Sequence, residues 1–501
     1  MYINLLVDKG GVIMNKIKKI FLTLVIAISF VIANIPIASA VSDEINIFVS
    51  DSGNDSSDGS MSAPLKTLEG ARNKIRSLKK SGDLSQTKIN VNIRKGNYNV
   101  EAFSLTKEDS GSKGYPITYR AWKDEEVSVS GGYTIESKFW SLVEDEVILK
   151  RLPEEARGKV YQADFNKMGL TKKDVGIMGY FGGFCGSDVY QSNTPVIPMG
   201  VELFSDGIPQ TIARYPNEGY IYIKNVVKPC VEWSWEGKTG TRPADMDPSG
   251  FIISYEDERT ERWKEAEDAR MYGFWKSEWV DSTVDIIDID LRKKTIESGQ
   301  AVSHGIKAYD GTGGRYYVFN LLEEIDIPGE YFLNPETLVM YYYPEGDISK
   351  SNIVASVSTK NIISIKNAEH ITFEGLTIEA TREQAVSVSD SDDICFNYCT
   401  IRNTGNIAAE ISMSKNSGFS NCHIYNTNGG IKIYNDDESR KALVPTNNYV
   451  KNCEIHDYSR YKKMYNPAVM FYGVGNYIGH NKIYNGSHMA IWMLDSNDSI
   501  V

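Results

Sequence analysis

The sequence predicts an all-β protein organised around a parallel β-helix, and three observations support this prediction. Short runs in which apolar and polar residues alternate recur through residues 367–501. The runs at 371–378 and 394–401 align at an offset of 23 residues, and later copies follow after 23, 31 and 28 residues. Asparagine and glycine residues separate the runs. A period of this length with short strands of β-forming residues is typical of a β-helical solenoid rather than a leucine-rich repeat.

Stacking of the repeats explains the alternation within each run. One coil cannot bury the apolar face of its own short strands, whereas stacked coils bury those faces along a continuous core. One repeat position should then form a column along the stack, and it holds Leu376, Cys399, Cys422, Cys453 and Asn481. Asn481 could join a ladder of side-chain amides at a turn. A β-propeller or a β-sandwich is the alternative architecture for this period.

The first 40 residues are predicted to be a targeting segment rather than part of the fold. A basic stretch at 14–19 precedes an apolar stretch at 20–32, and Ala-Ser-Ala follows at 38–40. This is the pattern of a secretory signal peptide; a transmembrane helix is the alternative, but the apolar stretch is short. We expect a secreted protein, extracellular or at the cell surface. The residues before Met14 are unusual in front of a basic region, so we expect translation to start at Met14.

Residues 41–132 are predicted to form an N-terminal cap and the first coils. A helix is predicted from Glu69 to Lys80, after a strand at 47–50 and a turn-rich stretch. Its apolar stripe consists of Leu68, Ala71, Ile75 and Leu78. Such a helix would cover the open end of the solenoid core.

The 23-residue period disappears between residues 133 and 354 and returns in residues 355–501. We interpret 133–354 as an inserted β-rich domain. Within it, several aromatic residues lie close in sequence to the carboxylates Glu278 and Asp281. These aromatic residues are Tyr272, Phe274, Trp275 and Trp279. They form either a sugar-stacking platform or the core of the insert. Arg214 either supports the domain junction or contacts a sugar hydroxyl.

The six cysteines have neither the spacing of a disulfide framework nor that of a zinc site. Cys185 and Cys230 are far apart, and three others lie in the column described above. That column is either a stack of buried thiols or contains one disulfide between neighbours. The acidic run at 390–393 either binds calcium or forms a solvated turn. We expect no cofactor and no structural metal.

The charge balance limits the possible partners. The chain has 54 Lys and Arg against 66 Asp and Glu; the first 40 residues contain four of the former and one of the latter, leaving 50 against 65 and a net charge of −15. Such a chain has no basic footprint for nucleic acid. We expect a monomer that does not associate with membranes once the signal segment is removed. The thirty tyrosines and eight tryptophans either stack on sugars or pack the sheets.

Two sets of segments carry a resemblance to known families. The segments at 49–55, 95–98, 109–111, 115–121 and 130–132 resemble the opening of secreted right-handed parallel β-helix enzymes of the pectate-lyase-like superfamily. A second set resembles glycoside hydrolase family 141, and it comprises 201–207, 213–217, 271–275, 279–281, 317–331, 458–460, 467–469 and 473–476. That family's known activities include α-L-fucosidase and xylanase. The resemblance implies right-handed coils and a polysaccharide or glycan as the partner.

Glycoside hydrolysis needs two carboxylates that flank the glycosidic bond. Glu410 could lie on an exposed strand face, or be a solvated surface acid. Asp457 leaves a strand beside His456 and Tyr458, so it either lines a cleft or caps a turn. His488 matches a recurring histidine in the late coils of the resembling family, which implies substrate binding or proton transfer. We therefore predict Asp457, His488 and Glu410 as catalytic, and Arg214, Trp275, Trp279, His456 and Tyr458 as substrate-binding residues.

Three functions remain open from the sequence. In the resembling family further coils follow the point matched by Val501, and the main catalytic carboxylates are expected there, so we expect a C-terminally truncated glycosidase. A polysaccharide lyase would instead need a Lys or Arg base and often calcium. The third possibility is a carbohydrate-binding β-helix without catalysis. An unsaturated, UV-absorbing product would distinguish the lyase.

Overall fold

The computed structural model describes residues 44–123, 125–182, 200–232 and 246–501. The predicted signal segment, the Met14 start and Cys185 lie outside the described residues. The predicted fold is confirmed, because three long sheets of parallel strands wind into a right-handed β-helix. Among the described residues, no helix is both long enough and apolar enough to cross a membrane.

A single coil shows how the three sheets arise. The strands Glu369–Glu374, Thr377–Thr381 and Val386–Ser389 follow one another in the chain, and each belongs to a different sheet. We call these sheets 1, 2 and 3 in that order. Each strand pairs in parallel with the strand one coil later, 23 residues on. Alternate side chains point inward, as Ile371 and Phe373 do, which is the two-residue period expected of a half-buried strand.

The three sheets contain eight, seven and seven strands. Sheet 1 consists of Glu44–Val49, Lys88–Ile93, Ile117–Ala121, Glu369–Glu374, Asp392–Asn397, Gly418–Ser420, Tyr449–Lys451 and Tyr477–Gly479. Sheet 2 consists of Gly96–Asn99, Val127–Ser130, Thr377–Thr381, Thr400–Thr404, His423–Thr427, Glu454–His456 and Lys482–Tyr484. Sheet 3 consists of Phe103–Leu105, Ile363–Lys366, Val386–Ser389, Ala409–Ser412, Ile431–Tyr434, Val469–Val474 and Ile491–Asn497.

The β-helix core repeats the same kind of side chain from coil to coil. Inside sheet 1, Tyr119, Phe373, Phe396 and Phe419 stack with ring centroids 5.3, 4.9 and 5.0 Å apart. The predicted thiol column is also buried, and it holds Cys399, Cys422 and Cys453 as free cysteines. Hydrogen bonding with the two neighbouring thiols and burial raise the pKa of Cys422 well above its ordinary value. These thiols therefore act as small apolar side chains.

The helix Leu68–Ser81 packs on the same core. Thr67 caps it, because its hydroxyl accepts a hydrogen bond from the Gly70 amide at 2.9 Å. Leu68, Ala71 and Ile75 are buried with the residues of the first coils. This is the predicted capping helix, with its predicted apolar stripe. The other α-helices are short, and they are Glu146–Arg151, Lys172–Val175 and Asp437–Lys441.

Between the coils of Val127–Ser130 and Ile363–Lys366, the chain forms three further sheets that are mainly antiparallel. The first consists of Tyr133–Thr134, Leu203–Ser205, Ile208–Pro209 and Ile353–Ala355. The second consists of Trp140–Leu142, Tyr161–Asp164, Thr211–Ile212, Glu330–Leu333 and Val339–Tyr342. The third consists of Arg214–Tyr215, Ile221–Tyr222, Val226–Lys228, Ile252–Ser254, Arg270–Phe274, Asp281–Asp290, Thr295–Ser298 and Arg315–Phe319. The division into domains at residues 132 and 354 stays a prediction.

Buried ion pairs and hydrogen bonds join this segment to the late coils. Arg460 pairs with Glu202 at 2.5 Å, and the hydroxyl of Tyr461 donates to the same carboxylate at 2.8 Å. Arg382, which is fully buried, donates from its guanidinium to the carbonyl oxygens of Val175 and Ile177. Charged groups buried in this way stay in place only when they are paired and hydrogen-bonded. The junction is therefore specified by polar contacts as well as by packing.

Candidate active site

The turns that lead from sheet 2 to sheet 3 form a corner of the β-helix. On successive coils these turns occupy residues 382–385, 405–408, 428–430, 457–468 and 485–490. We call this row of turns, with the outward side chains of sheet 3 beside it, the sheet 2–3 corner. The core requires apolar side chains only inside the coils, so the turns are free to carry polar groups. Two carboxylates occur here on adjacent coils, Glu383 and Glu410.

Glu383 lies in the first of these turns and is partly buried. Burial raises its pKa, and the nearby charge of Glu410 raises it further. Two hydrogen bonds oppose that rise. They come from the Asn406 side-chain amide at 2.5 Å and the Gln384 backbone amide at 3.1 Å, and both end on Oε1. Because Oε1 accepts both bonds, the proton of the neutral acid belongs on Oε2.

Glu410 points outward from the strand Ala409–Ser412 of sheet 3. Its neighbour in register on the next coil is Lys432, whose ammonium group lies 3.0 Å from the Glu410 carboxylate. Both side chains are partly exposed, at 29% for the carboxylate and 38% for the amine. The lysine balances the negative charge of Glu410 in a position that a ligand can still reach.

The two carboxylates have different electrostatic surroundings. Glu383 is held toward its neutral form by burial, whereas Glu410 faces a cation. Enzymes use two carboxyls in different surroundings as an acid and as a base or nucleophile. The corner can therefore supply a proton from Glu383 and, from Glu410 on the next coil, a carboxylate that faces a cation.

His488 lies on the same corner but far from this pair. Four coils separate its turn from that of Glu383, which is about 19 Å at about 4.8 Å per coil. Its ring Nδ1 accepts a hydrogen bond from the Tyr465 backbone amide at 3.2 Å, and the two rings meet edge to face. Tyr465 in turn contacts the ring of Trp492. His488 and Glu410 were both predicted to be catalytic, and the structure does not bring them together.

His456 ends a strand of sheet 2, and Asp457 is the first residue of the corner turn that follows it, two coils after the Glu410 strand. Asp457 lies 2.6 Å from Nδ1 of His456, and Nε2 of His456 lies 2.7 Å from Nε2 of His423. One imidazole of the pair must donate and the other must accept. His456 also stacks between the rings of Tyr425 and Tyr484. The catalytic role of Asp457 and the substrate-binding role of His456 stay predictions.

Tyr458 and Trp275 are wrong as predicted sugar-contacting residues, because the structure buries both side chains. Tyr458 is 5% exposed and its ring packs against Gly486. Trp275 is fully buried among Phe251 and Tyr316 and donates its indole N–H to Ser282. The alternative, that Trp275 belongs to a core of the inserted segment, is the one the structure supports.

Arg214 and Trp279 differ from each other in accessibility. Arg214 donates to the carbonyl oxygens of Pro216 and Gly219 at 2.8 and 2.7 Å and lies over the Tyr317 ring at 3.7 Å, so it stabilises its own turn. Trp279 is 43% exposed and meets the ring of His304 edge to face. Of the substrate-binding residues predicted in this segment, Trp279 alone offers an open ring surface.

Glu383, Asn406 and Lys432 were not predicted from the sequence. A signal for the first two was present, because they occupy the same place after the strands Thr377–Thr381 and Thr400–Thr404, 23 residues apart. The predictions relied on alternation within strands, and the turns carry no alternation. Within the described residues, no group of three or more His, Cys, Asp or Glu side chains is arranged to hold a metal ion.

Comparisons with known proteins agree on the architecture. The family model described as "Right handed beta helix region" matches residues 361–442. A solved structure named "Glycoside hydrolase" has a TM-score of 0.65 and 17% identity, covering 90% of this chain and 79% of that one. "The complex structure of XylC with xylose" has a TM-score of 0.40 and 12% identity, covering 90% and 64%. No curated protein matches the sequence significantly. The family model and the likeness to the first of these structures, at 17% identity, establish the fold alone, a right-handed parallel β-helix.

Proposed function

We propose that this protein hydrolyses glycosidic bonds of a polysaccharide or glycan at the sheet 2–3 corner. The observation that carries the proposal is the pair of carboxylates on adjacent coils, one with a pKa raised by burial and the other paired with a lysine. The resemblance to glycoside hydrolase family 141 and the fold shared with the structure named "Glycoside hydrolase" support it. The signal-like segment at residues 1–40 supports an extracellular site of action.

Each side chain has a defined role in this proposal. Glu383 protonates the leaving glycosidic oxygen from Oε2, while Asn406 holds Oε1 and fixes the orientation of the carboxyl. Glu410 either attacks the anomeric carbon or removes a proton from the attacking water, as the second carboxylate of glycosidases does. Lys432 balances the charge on Glu410. Glu383 and Glu410 are both carboxylates that the described chain provides.

The experiment compares Glu383→Gln and Glu410→Gln in the full chain, with Glu374→Gln on the outer face of sheet 1 as the matched control. Reducing-sugar release from a panel of neutral polysaccharides should fall by about 10²–10⁴-fold in both corner variants and stay unchanged in the control. Dinitrophenyl glycosides, whose leaving group needs no proton, should restore turnover in Glu383→Gln but not in Glu410→Gln. Full activity in both corner variants would rule out this site.

A polysaccharide lyase is the second candidate, and Lys463 favours it. This residue lies in the corner turn at 457–468, and burial together with the charges of Arg460 and Arg214 lowers its pKa to about 8. A lysine that loses its proton near neutral pH can act as the base of a β-elimination. An unsaturated, UV-absorbing product would indicate elimination. If Lys463→Met stops its formation while Glu383→Gln stays active, the protein is a lyase rather than a hydrolase.

A further inference from the structure

A polar groove lies on the outer face of sheet 2, separate from the carboxylate pair at the sheet 2–3 corner. It has a volume of about 780 Å³, which is within the range of small-ligand sites. One wall consists of outward side chains of sheet 2, and the other consists of residues 204–207 and 352–354 of the inserted segment. Neither Glu383 nor Glu410 lines it.

Three coils supply the floor of this groove with different side chains at one repeat position. Glu379, Arg402 and Tyr425 are 23 residues apart and neighbours in register. Arg402 donates to the Glu379 carboxylate at 2.7 Å and to the Tyr425 hydroxyl at 3.0 Å, and Ser128 donates to the other carboxylate oxygen at 2.7 Å. This network fixes each side chain before any ligand binds.

Asn403 is the residue that points to a ligand. It is 1% exposed and lines the groove, and its amide nitrogen donates to the Gly207 carbonyl oxygen at 2.8 Å. Its side-chain oxygen is buried and has no hydrogen-bond partner. The strand pairing passes from Arg402 to Thr404 without Asn403, whose φ of 58° lies in the left-handed region. A buried amide oxygen without a donor is rare in folded proteins, and a hydroxyl group of a ligand would satisfy it.

The charges of the groove indicate a neutral ligand. Among the residues that the structure describes, four carboxylates line it, those of Asp51, Glu126, Asp206 and Glu379. Two cations, Lys95 and Arg402, also line the groove, and Arg402 is already paired with Glu379. An anionic sugar would meet an excess of negative charge here. Hydroxyl groups, by contrast, can donate to the Asn403 oxygen and the carboxylates.

We infer that this groove binds a neutral oligosaccharide as a second carbohydrate site, separate from the catalytic corner. The class of ligand rests on the proposed function, whereas the site itself rests on Asn403 and the network around it. A second site on the outer face of sheet 2 would hold a polymer on the enzyme while the corner acts on a bond elsewhere in the chain.

Isothermal titration tests the inference with neutral xylohexaose, cellohexaose and mannohexaose, and with hexagalacturonate as the anionic probe. The parent protein is the full chain carrying Glu383→Gln, so that the probes stay intact. Adding Asn403→Gly removes the amide at a position whose φ suits glycine. Adding Asn426→Gly is the matched control, since Asn426 occupies the same repeat position one coil later, has a φ of 52° and is not among the residues that line the groove.

We expect one of the neutral hexasaccharides to bind, and Asn403→Gly to weaken that binding by about tenfold, the loss of one good hydrogen bond. Asn426→Gly should leave the affinity within about twofold. Tyr425→Phe serves as a second groove variant if Asn403→Gly fails to fold, and it should weaken the same probe. Binding of hexagalacturonate alone, binding of no hexasaccharide, or equal loss in both glycine variants would overturn the inference.

Hydrolysis separates this inference from the proposed function. Turnover of a dinitrophenyl glycoside, which is too short to span both sites, should be the same in Asn403→Gly as in the wild-type chain. If Glu383→Gln and Glu410→Gln keep full activity while Asn403→Gly loses binding, the proposed function fails and the groove stands. If the corner variants lose activity and the groove variants keep binding, the groove fails and the proposed function stands.

Discussion

The interior of sheet 1 and the outer face of sheet 3 follow different rules, although the same coils build both. Inside sheet 1, aromatic rings repeat on successive coils at Phe373, Phe396 and Phe419. Outside sheet 3, the side chain in register changes at every coil, from Ser387 to Glu410, Lys432, Met470 and Trp492. Packing demands the same shape at each level of the stack, whereas nothing on the outer face does. In this protein, repetition therefore marks the core and departure from repetition marks candidate chemistry.

The largest effect expected from this comparison is on stability. Phe396 is 1% exposed and stacked between Phe373 and Phe419, so Phe396→Ala should lower the free energy of unfolding by about 3–5 kcal/mol. Urea-induced unfolding followed by tryptophan fluorescence measures this change. Tyr398, which is 62% exposed on the same coil, is the control, and Tyr398→Ala should stay within about 0.5 kcal/mol of the wild type. Equal losses in the two variants would break the distinction between interior and surface.

The next effect concerns activity rather than stability. Lys432→Met keeps the length of the side chain but removes the cation beside Glu410, so kcat/KM should fall by about tenfold while the free energy of unfolding changes by less than about 0.5 kcal/mol. Lys366→Met is the matched control, because Lys366 is exposed on the outer face of sheet 3 three coils before Lys432. A loss of activity in both lysine variants, or in neither, would show that the ion pair has no specific role.

A smaller effect on stability is expected at the helix that packs on the first coils. Thr67→Ala removes the hydroxyl that caps the helix Leu68–Ser81 and that also donates to Asp55 at 2.7 Å. The free energy of unfolding should fall by about 1 kcal/mol. Ser77→Ala, at an exposed position of the same helix, should leave it nearly unchanged. If the cap variant unfolds like the wild type, the helix does not contribute to the stability of the core it covers.

The pH dependence of stability sharpens the assignment of Glu383. Its folded-state pKa is raised by burial, so its contribution to stability is full below the ordinary value of 4.5 and is lost as the pH rises through the folded pKa. Wild-type stability relative to Glu383→Gln should therefore decrease as the pH rises above about 4.5. Urea midpoints of both proteins across this range measure the difference. A difference that increases with pH would mean that the carboxyl is stabilised in its charged form.

The outcomes of the sequence predictions follow the same division between core and surface. The register of the coils, the thiol column and the stripe of the capping helix were predictable, because burial leaves a two-residue or helical period in the sequence. Glu383 and Asn406 were missed, because a turn has no period and its environment depends on the neighbouring coil. For Trp275 the structure supports the alternative prediction, a place in the core of the insert. In sequence, an aromatic residue beside acidic ones looks the same in a core and in a cleft.

The sequence by itself determined the coiled architecture of this protein, since each short strand encodes which of its faces must be buried. It did not determine which polar side chains meet. Glu383, Asn406 and Glu410 come together because coils 23 residues apart stack directly on one another. The amide nitrogen of Asn403 donates to Gly207 of a distant segment, while its oxygen has no partner. Local patterns fix burial, whereas contacts between coils and the inserted segment fix protonation, pairing and access, and those exist only in the tertiary structure.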